Sequence, residues 1–250
     1  MDTLQTPSPN SAEGTPLPYP NARLGSLTSV LETEFGRQER WSRKSPMDQL
    51  IATILSQRTN YADERAAFNA LLERFGSWAG VASAKTEDIE SAIQTTRFPE
   101  VKAPRIKAII TTIIEEQGEA SLDALYAMSV EDADAYLRRL PGVGPKTSTF
   151  IQLFSMRRPV LPVDTHVHRT TTRLGILPAK ISQAKAHDVL LEMIPVDAAE
   201  ILNFHKLYFK LGQRICLYTR PKCASCPLSE DCDYARARAA AQQPSVREEG

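Results

Sequence analysis

Apolar and polar residues alternate with a helical period along most of the chain. The stretch MDQLIATILSQ at 47–57 repeats its apolar residues at intervals of three and four, and RIKAIITTII at 105–114 does the same. The same period predicts helices over 24–35, 63–74, 130–140, 146–154, 165–174, 184–194 and 199–211. Two starts carry capping signals: Ser45 ahead of Pro46, and Ser129 ahead of acidic residues. No run alternates convincingly with period two and no internal repeat is obvious. The expected class is therefore all-α, with loops of a few residues.

Composition delimits the ends. Residues 1–20 contain Pro7, Pro9, Pro16, Pro18 and Pro20 among Ser, Thr and Asn and read as a disordered tail, while 239–250 read as a loose C-terminal tail. The 250 residues suffice for one large or two modest domains. No apolar run is long enough to span a bilayer, and no basic segment followed by an apolar one opens the chain. A cytoplasmic protein without a membrane partner is expected.

The formal net charge is zero, so the whole-chain balance points to no particular partner, but its distribution is uneven. Residues 81–136 hold eleven acids against five Lys and Arg. From 137 to 173 the balance reverses: Arg138, Arg139, Lys146, Arg157, Arg158, Arg169 and Arg173 face Asp164 alone. From 201 to 226 there are five cations and no acid. A neutral protein with one basic side can bind a polyanion, although solvated helix faces also look like this.

All four cysteines fall within 216–232 as Cys216, Cys223, Cys226 and Cys232, spaced C-x6-C-x2-C-x5-C. In a reducing compartment four clustered thiols point to a metal site before disulfides. Either Zn²⁺ or an iron–sulfur cluster is compatible with four thiolates. Only one C-x2-C pair is present, where structural zinc usually takes two.

The segment LPGVGPKTS at 140–148 raises a separate question. Gly142 and Gly144 permit a tight backbone hairpin, and Pro145 suits the first position of the following helix. Free amides at such a turn and the positive end of the helix form an anion site that suits a nucleic-acid phosphate. An ordinary helix–turn–helix corner is the plainer alternative. Lys146 on the first turn is, by its type alone, a phosphate-binding lysine before it is anything else. Asp164, ahead of a helical stretch, is by its type alone a helix cap. Gln57 is by type a polar residue ending a helix.

Four segments together resemble one family. LPGVGPKT resembles the helix-hairpin-helix motif of the endonuclease III family of DNA glycosylases, and VDTHVHR at 163–169 resembles its second signature. The cysteine spacing is similar to the family's iron–sulfur loop, and ILSQRTN at 54–60 to its stretch at the DNA-facing end of a helix. The resemblance runs from about residue 24 to 234. It implies two helical domains. A six-helix barrel would span 38–158 and carry the hairpin at 140–146. A cluster domain would be built from both chain ends, 21–37 and 159–235, leaving the active site in the cleft between them.

The resemblance further implies a bifunctional DNA glycosylase and abasic-site lyase of base excision repair acting on oxidised pyrimidines. Lys146 would attack the sugar C1′, form a Schiff base and cleave 3′ of the site by β-elimination, with Asp164 stabilising the cationic sugar or taking a proton. Cys216, Cys223, Cys226 and Cys232 would hold a [4Fe–4S] cluster of structural role. Gln57, Gly142, Val143, Gly144, Arg220 and Lys222 would contact DNA. The partner would be a duplex containing a damaged base or abasic site, and the protein a monomer. The chain departs from the family at 95–105, TTRFPEVKAPR, which lacks an expected glycine and reads as longer. Pro145 also stands where a basic residue is expected. These departures keep open a lesion- or structure-binding protein with weak or monofunctional glycosylase activity.

Overall fold

The computed structural model describes residues 19–242, and among these every regular element is helical. In chain order they are α1 (Ala22–Phe35), α2 (Pro46–Ser56), α3 (Tyr61–Phe75), α4 (Trp78–Ser83), α5 (Thr86–Ala92) and α6 (Pro99–Gln117). There follow α7 (Val130–Arg139), α8 (Pro145–Phe154), α9 (Thr165–Arg173), α10 (Gln183–Leu191), α11 (Ala198–Arg214) and α12 (Asp233–Gln242), with short 3-10 turns at Asp123–Ala127 and Cys223–Ser225. No helix among the described residues is long and apolar enough to cross a membrane.

The nine helices expected from periodicity all form, with ends within a few residues except at α6. That helix starts six residues before the expected 105, because Pro104 sits inside it. Proline deletes one helical hydrogen bond, and here it sits on the exposed face of the second turn. Helices α4 and α5 escaped the pattern because each is a turn or two long and buries only one or two side chains. Residues 239–242, read as part of a loose tail, continue α12, whereas 243–250 lie outside the described residues. Of the expected N-terminal tail, 1–18 also lie outside them, and Tyr19 packs against the chain's second core.

Buried apolar side chains form two clusters. One draws on α2 to α7 and includes Ile54, Trp78, Ile106, Ile110, Leu137, Val143 and Ile151. The other joins α1 to the later helices through Leu24, Leu31, Leu153, Phe154, Val167, Phe204 and Tyr208. Helix α8 supplies Ile151 to the first and Leu153 and Phe154 to the second. Clad on both sides, it buries Ser148 and Gln152 completely. Helix α9 lies against α11 so closely that a Cβ on Gly212 would come within 2.7 Å of His166 Cβ.

Arg158 locks the turn after α8 onto the 3-10 segment and the start of α7. Its guanidinium donates to the carbonyls of Leu125, Met128 and Ser129 and to Gln152 Oε1. Removing it strands several half-buried acceptors. Arg158→Ala is expected to lower unfolding free energy by about 2–4 kcal/mol in urea denaturation, and Arg158→Lys, with fewer donors, to recover only part of it. A loss below about 0.5 kcal/mol contradicts this account.

Candidate active site

Eight of the first eleven helices begin with a side-chain cap, α9 beside the hairpin among them; α8 does not. Its cap position is Gly144, and the amides of Gly142, Gly144 and Lys146 find no acceptor among the described residues. Pro145 at the first helical position has no N–H to satisfy. The two glycines differ in their reasons. Gly142 has φ +75°, and a Cβ there would lie 2.8 Å from Arg105 Cδ. Gly144 is extended, φ −103° and ψ −177°, and nothing lies within 4 Å of where its Cβ would be. The fold demands glycine at 142 and leaves 144 open to an external group. Val143 turns its side chain into the first core, 6% exposed, so the hairpin presents backbone there.

Lys146 is half-buried on the first turn of α8. Its Nζ lies 5.0 Å from the centre of the Phe150 ring, one turn on, and neither an ion pair nor a hydrogen bond engages it among the described residues. Burial pulls its pKa below the lysine value of 10.5, against a smaller upward pull from Asp164. The amine thus faces a carboxylate without touching it.

Asp164 is the cap of α9. Its Oδ1 accepts the amides of His166 and Val167, both at 2.8 Å, which leaves Oδ2 without a protein partner. Both readings of this residue are therefore compatible in one geometry. His166 and His168 are engaged elsewhere, His166 with Arg169 and the Phe209 ring, His168 with the Ile181 carbonyl.

Between the two groups stands a residue that motif reading passed over. His205 on α11 is 3% exposed and its Nδ1 lies 2.8 Å from the Pro162 carbonyl oxygen. Its ring packs edge-on to Phe154 and Phe150 at 5.4 and 5.8 Å. Burial drives its pKa down, while Asp164 raises it and Lys146 lowers it, so it senses both. Its signal in the sequence was a histidine on the most apolar face of a long helix.

Gln57 ends α2. Its Oε1 accepts from Arg105 at 3.3 Å, and Arg105 is the side chain that lies under Gly142. The loop after α5 comes alongside, with Arg97 N–H donating to Thr59 Oγ1 at 3.1 Å. Phe98, 45% exposed, adopts a left-handed φ of +61°, and Arg58, also left-handed, places its guanidinium over the Phe98 ring. Phe98 takes up the conformation that a glycine would adopt freely.

Cys216, Cys223, Cys226 and Cys232 line one small pocket of ≈ 20 Å³ and form no disulfide. Burial raises the thiol pKa of Cys226 and Cys232, and the neighbouring cysteines add to it. Four mutually repelling sulfurs in one pocket suit a cationic group. Arg169 and Arg173 brace this loop, Arg173 donating to the carbonyls of Leu217 and Tyr218 and to Cys216 Sγ. Arg220 and Lys222 stand exposed on it.

Residues 51–195 match the family described as HhH-GPD superfamily base excision DNA repair protein. The chain is 33% identical to endonuclease III of Thermotoga maritima over 193 residues, 77% of this chain and 85% of that protein. Its fold is similar to that of a trapped endonuclease III–DNA covalent intermediate, with TM-score 0.73 and 24% identity over 87% of this chain and 97% of the other. It is also similar to a thermostable thymine-DNA glycosylase, with TM-score 0.69 and 17% identity over 86% and 97% of the two chains.

The two glycines separate folding from ligand contact. Gly142→Ala is expected to lose about 1–2 kcal/mol of stability from the left-handed φ alone. Gly144→Ala should melt like the parent yet bind duplex DNA more weakly, about tenfold, by obstructing a phosphate. Equal affinity of Gly144→Ala and the parent in a fluorescence anisotropy titration counts against the hairpin as a phosphate site.

Proposed function

The chain belongs to the endonuclease III family, within the HhH-GPD superfamily of base excision DNA repair proteins, and from that premise we propose that Lys146 is the nucleophile of a bifunctional glycosylase and abasic-site lyase. The chain is an endonuclease III-like DNA glycosylase. The finer reading adds strand cleavage and a substrate class of oxidised pyrimidines in duplex DNA. The observation that carries it is the state of Lys146: half-buried, without a hydrogen-bond acceptor, its pKa lowered by burial, opposite a carboxylate with one free oxygen.

The steps follow from these groups. The neutral Nζ attacks C1′ of a nucleotide turned out of the duplex, and the bond from C1′ to the base breaks with its electron pair leaving on the base. Asp164 stabilises the positive charge that develops on the sugar, and its Oδ2 accepts a proton from the attacking nitrogen. Ring opening gives an iminium between Nζ and C1′. The iminium acidifies C2′, a base removes that proton, and the 3′ phosphate departs as the C2′–C3′ double bond forms. Water then releases the sugar from Lys146. His205 keeps the wall behind both groups dry and uncharged.

Support for DNA contact comes from the unsatisfied amides of the hairpin and from cations along its flank. Lys206, Lys210 and Arg214 recur every four residues on α11, and Lys210 has its pKa lowered by burial and by Arg214. Gln57 and Phe98 stand at adjoining loop tips, suited to fill the gap left by an extruded nucleotide. The four cysteines fit a [4Fe–4S] cluster by donor type and by sharing one pocket. Among the described residues no three of them converge as one metal ion requires. When bound, the cluster would cross-link the loop 216–232 and hold Arg220 and Lys222 outward.

Borohydride trapping tests the chemistry. A duplex with an abasic site should yield a covalent adduct with the parent and none with Lys146→Gln, while Asp164→Asn slows removal of thymine glycol by about a hundredfold. The capture rate should climb with pH, as the ammonium deprotonates, and level off below the ordinary lysine value of 10.5. An adduct that persists in Lys146→Gln removes Lys146 from this role. Tight binding of lesion DNA by the parent with no adduct leaves a monofunctional or lesion-binding protein.

The cysteine pocket has its own test. Protein prepared without oxygen should contain iron and sulfide in equal amounts and show broad visible absorption. Cys223→Ser should lose the colour and become protease-sensitive across 216–232. A colourless parent holding one zinc overturns the assignment.

A further inference from the structure

Lys102 is 3% exposed, and among the described residues no carboxylate forms an ion pair with it. Its ammonium donates instead to three oxygens at the end of α2: Leu55 O at 2.7 Å, Gln57 O at 2.9 Å and Thr59 Oγ1 at 2.9 Å. Burial alone brings its pKa down to about 8. A methionine or leucine would fill the same volume without dehydrating a charge.

The reason for a cation lies in how α2 ends. Its C-terminal position is Gln57, with φ −57° and ψ 114°, and the next residue, Arg58, is left-handed at φ +55°. No glycine serves this end, where helices commonly use one. The last carbonyls carry the negative end of the helix dipole, and a cation delivered from elsewhere satisfies them. Lys102 reaches them from the second residue row of α6, a helix that also sends Arg105 to Gln57 Oε1 and beneath Gly142. Thr59 Oγ1 shares its bond to Lys102 with the amide of Arg97, next to left-handed Phe98. One turn of α6 thereby joins the loop bearing Gln57, the loop bearing Phe98 and the hairpin.

We propose that Lys102 is a positioning residue for DNA recognition: its ammonium caps α2 from a neighbouring helix and holds the 55–59 loop in the shape that enters a damaged duplex. The inference rests on Gln57 facing DNA. Lys102 touches no substrate and acts through Gln57 and Thr59. Without it, the two left-handed residues can relax to ordinary backbone and the loop tips separate.

Lys102→Met keeps the buried stem and deletes the donors, whereas Lys102→Arg keeps charge and donors. Hydrogen–deuterium exchange on the free proteins reads the tether through the amides of Gln57 and Thr59, which donate to Ile54 and Ser56. In Lys102→Met these should exchange about tenfold faster with α8 unchanged, and Lys102→Arg should restore most of the protection. The consequence is read on a duplex carrying a tetrahydrofuran abasic analogue opposite 2-aminopurine, which requires no excision. At saturating protein, the emission gain of Lys102→Met should fall to roughly half the parent's or less, and recover in Lys102→Arg. If Lys102→Met fails to fold, Thr59→Val removes one acceptor only and should speed exchange about threefold.

Unchanged exchange at 57–59 overturns the tether. Faster exchange with the parent's full emission gain overturns its part in recognition. A parent protein that binds the duplex with no emission gain refutes the reading of Gln57 as an inserting residue, and exchange alone then decides the tether.

Discussion

Helix α8 is held between two apolar cores, and that double burial governs where the reactive groups stand. Ile151 belongs to one core, Leu153 and Phe154 to the other, and the polar Ser148 and Gln152 between them are sealed from solvent. A helix packed on opposite faces cannot roll without opening one core or the other, so its first turn is a fixed point. From that turn a wall of rings leads to the start of α9. Lys146 lies over Phe150, Phe150 stacks on Phe154, and both meet His205, whose neighbour Phe209 packs on His166 at the start of α9. Asp164 caps that start. The distance from amine to carboxylate is set by stacked rings, and it is too long for an ion pair. A direct pair would raise the lysine pKa and occupy both groups.

Buried Lys102 and half-buried Lys146 both lack an anionic partner among the described residues, and they differ in their acceptors. Lys102 has three acceptors and is committed to its loop. Lys146 has none, so its nitrogen lone pair, once deprotonated, is free. Burial lowers the pKa of both, but only Lys146 keeps its nitrogen without an acceptor among the described residues, as the proposed nucleophile requires. Arg37 shows the other solution to a buried cation. It pairs with Glu32 and Glu200, the latter almost fully buried, and ties α1 to α11. There the charge is neutralised and no reactivity remains.

The helices were legible in the sequence because most have one buried face, which imposes the period. Where that condition fails, so does the reading. Helices α4 and α5 are too short to show a period, and each buries only one or two side chains. The hairpin and its lysine were legible as a turn followed by a helix start, since Gly142 and Pro145 each have a local reason to be there. His205 and Lys102 were not, because their partners are 43 residues away or more in sequence. Lys102 left a trace: it extends the buried row Ile106, Ile109, Ile110 and Ile113 by one step toward the N-terminus, a charge on an apolar stripe. Val143 shows the reverse error, since its place between two glycines suggested an exposed tip while packing draws it into the core.

Capping carries the argument one step further. Asn21, Ser45, Asn60, Ser77, Ser129, Asp164, Ser182 and Asp197 each accept a first-turn amide of their own helix. Helix α5 lacks such a cap behind Lys85, and so do α6 and α8, which start from left-handed Phe98 and from Gly144. A side-chain oxygen at either of the last two places would stabilise the fold by about 1 kcal/mol. It would also occupy the amides that an anion needs and place negative charge against a phosphate. The local rule is broken at α5 and at the two helix starts that share the face with Gln57; at those two, an uncapped start is what is expected where binding competes with stability. Asp164 resolves the same conflict differently. It caps α9 with one oxygen and leaves the other without a partner among the described residues, so the fold and the proposed chemistry would draw on separate atoms of one side chain.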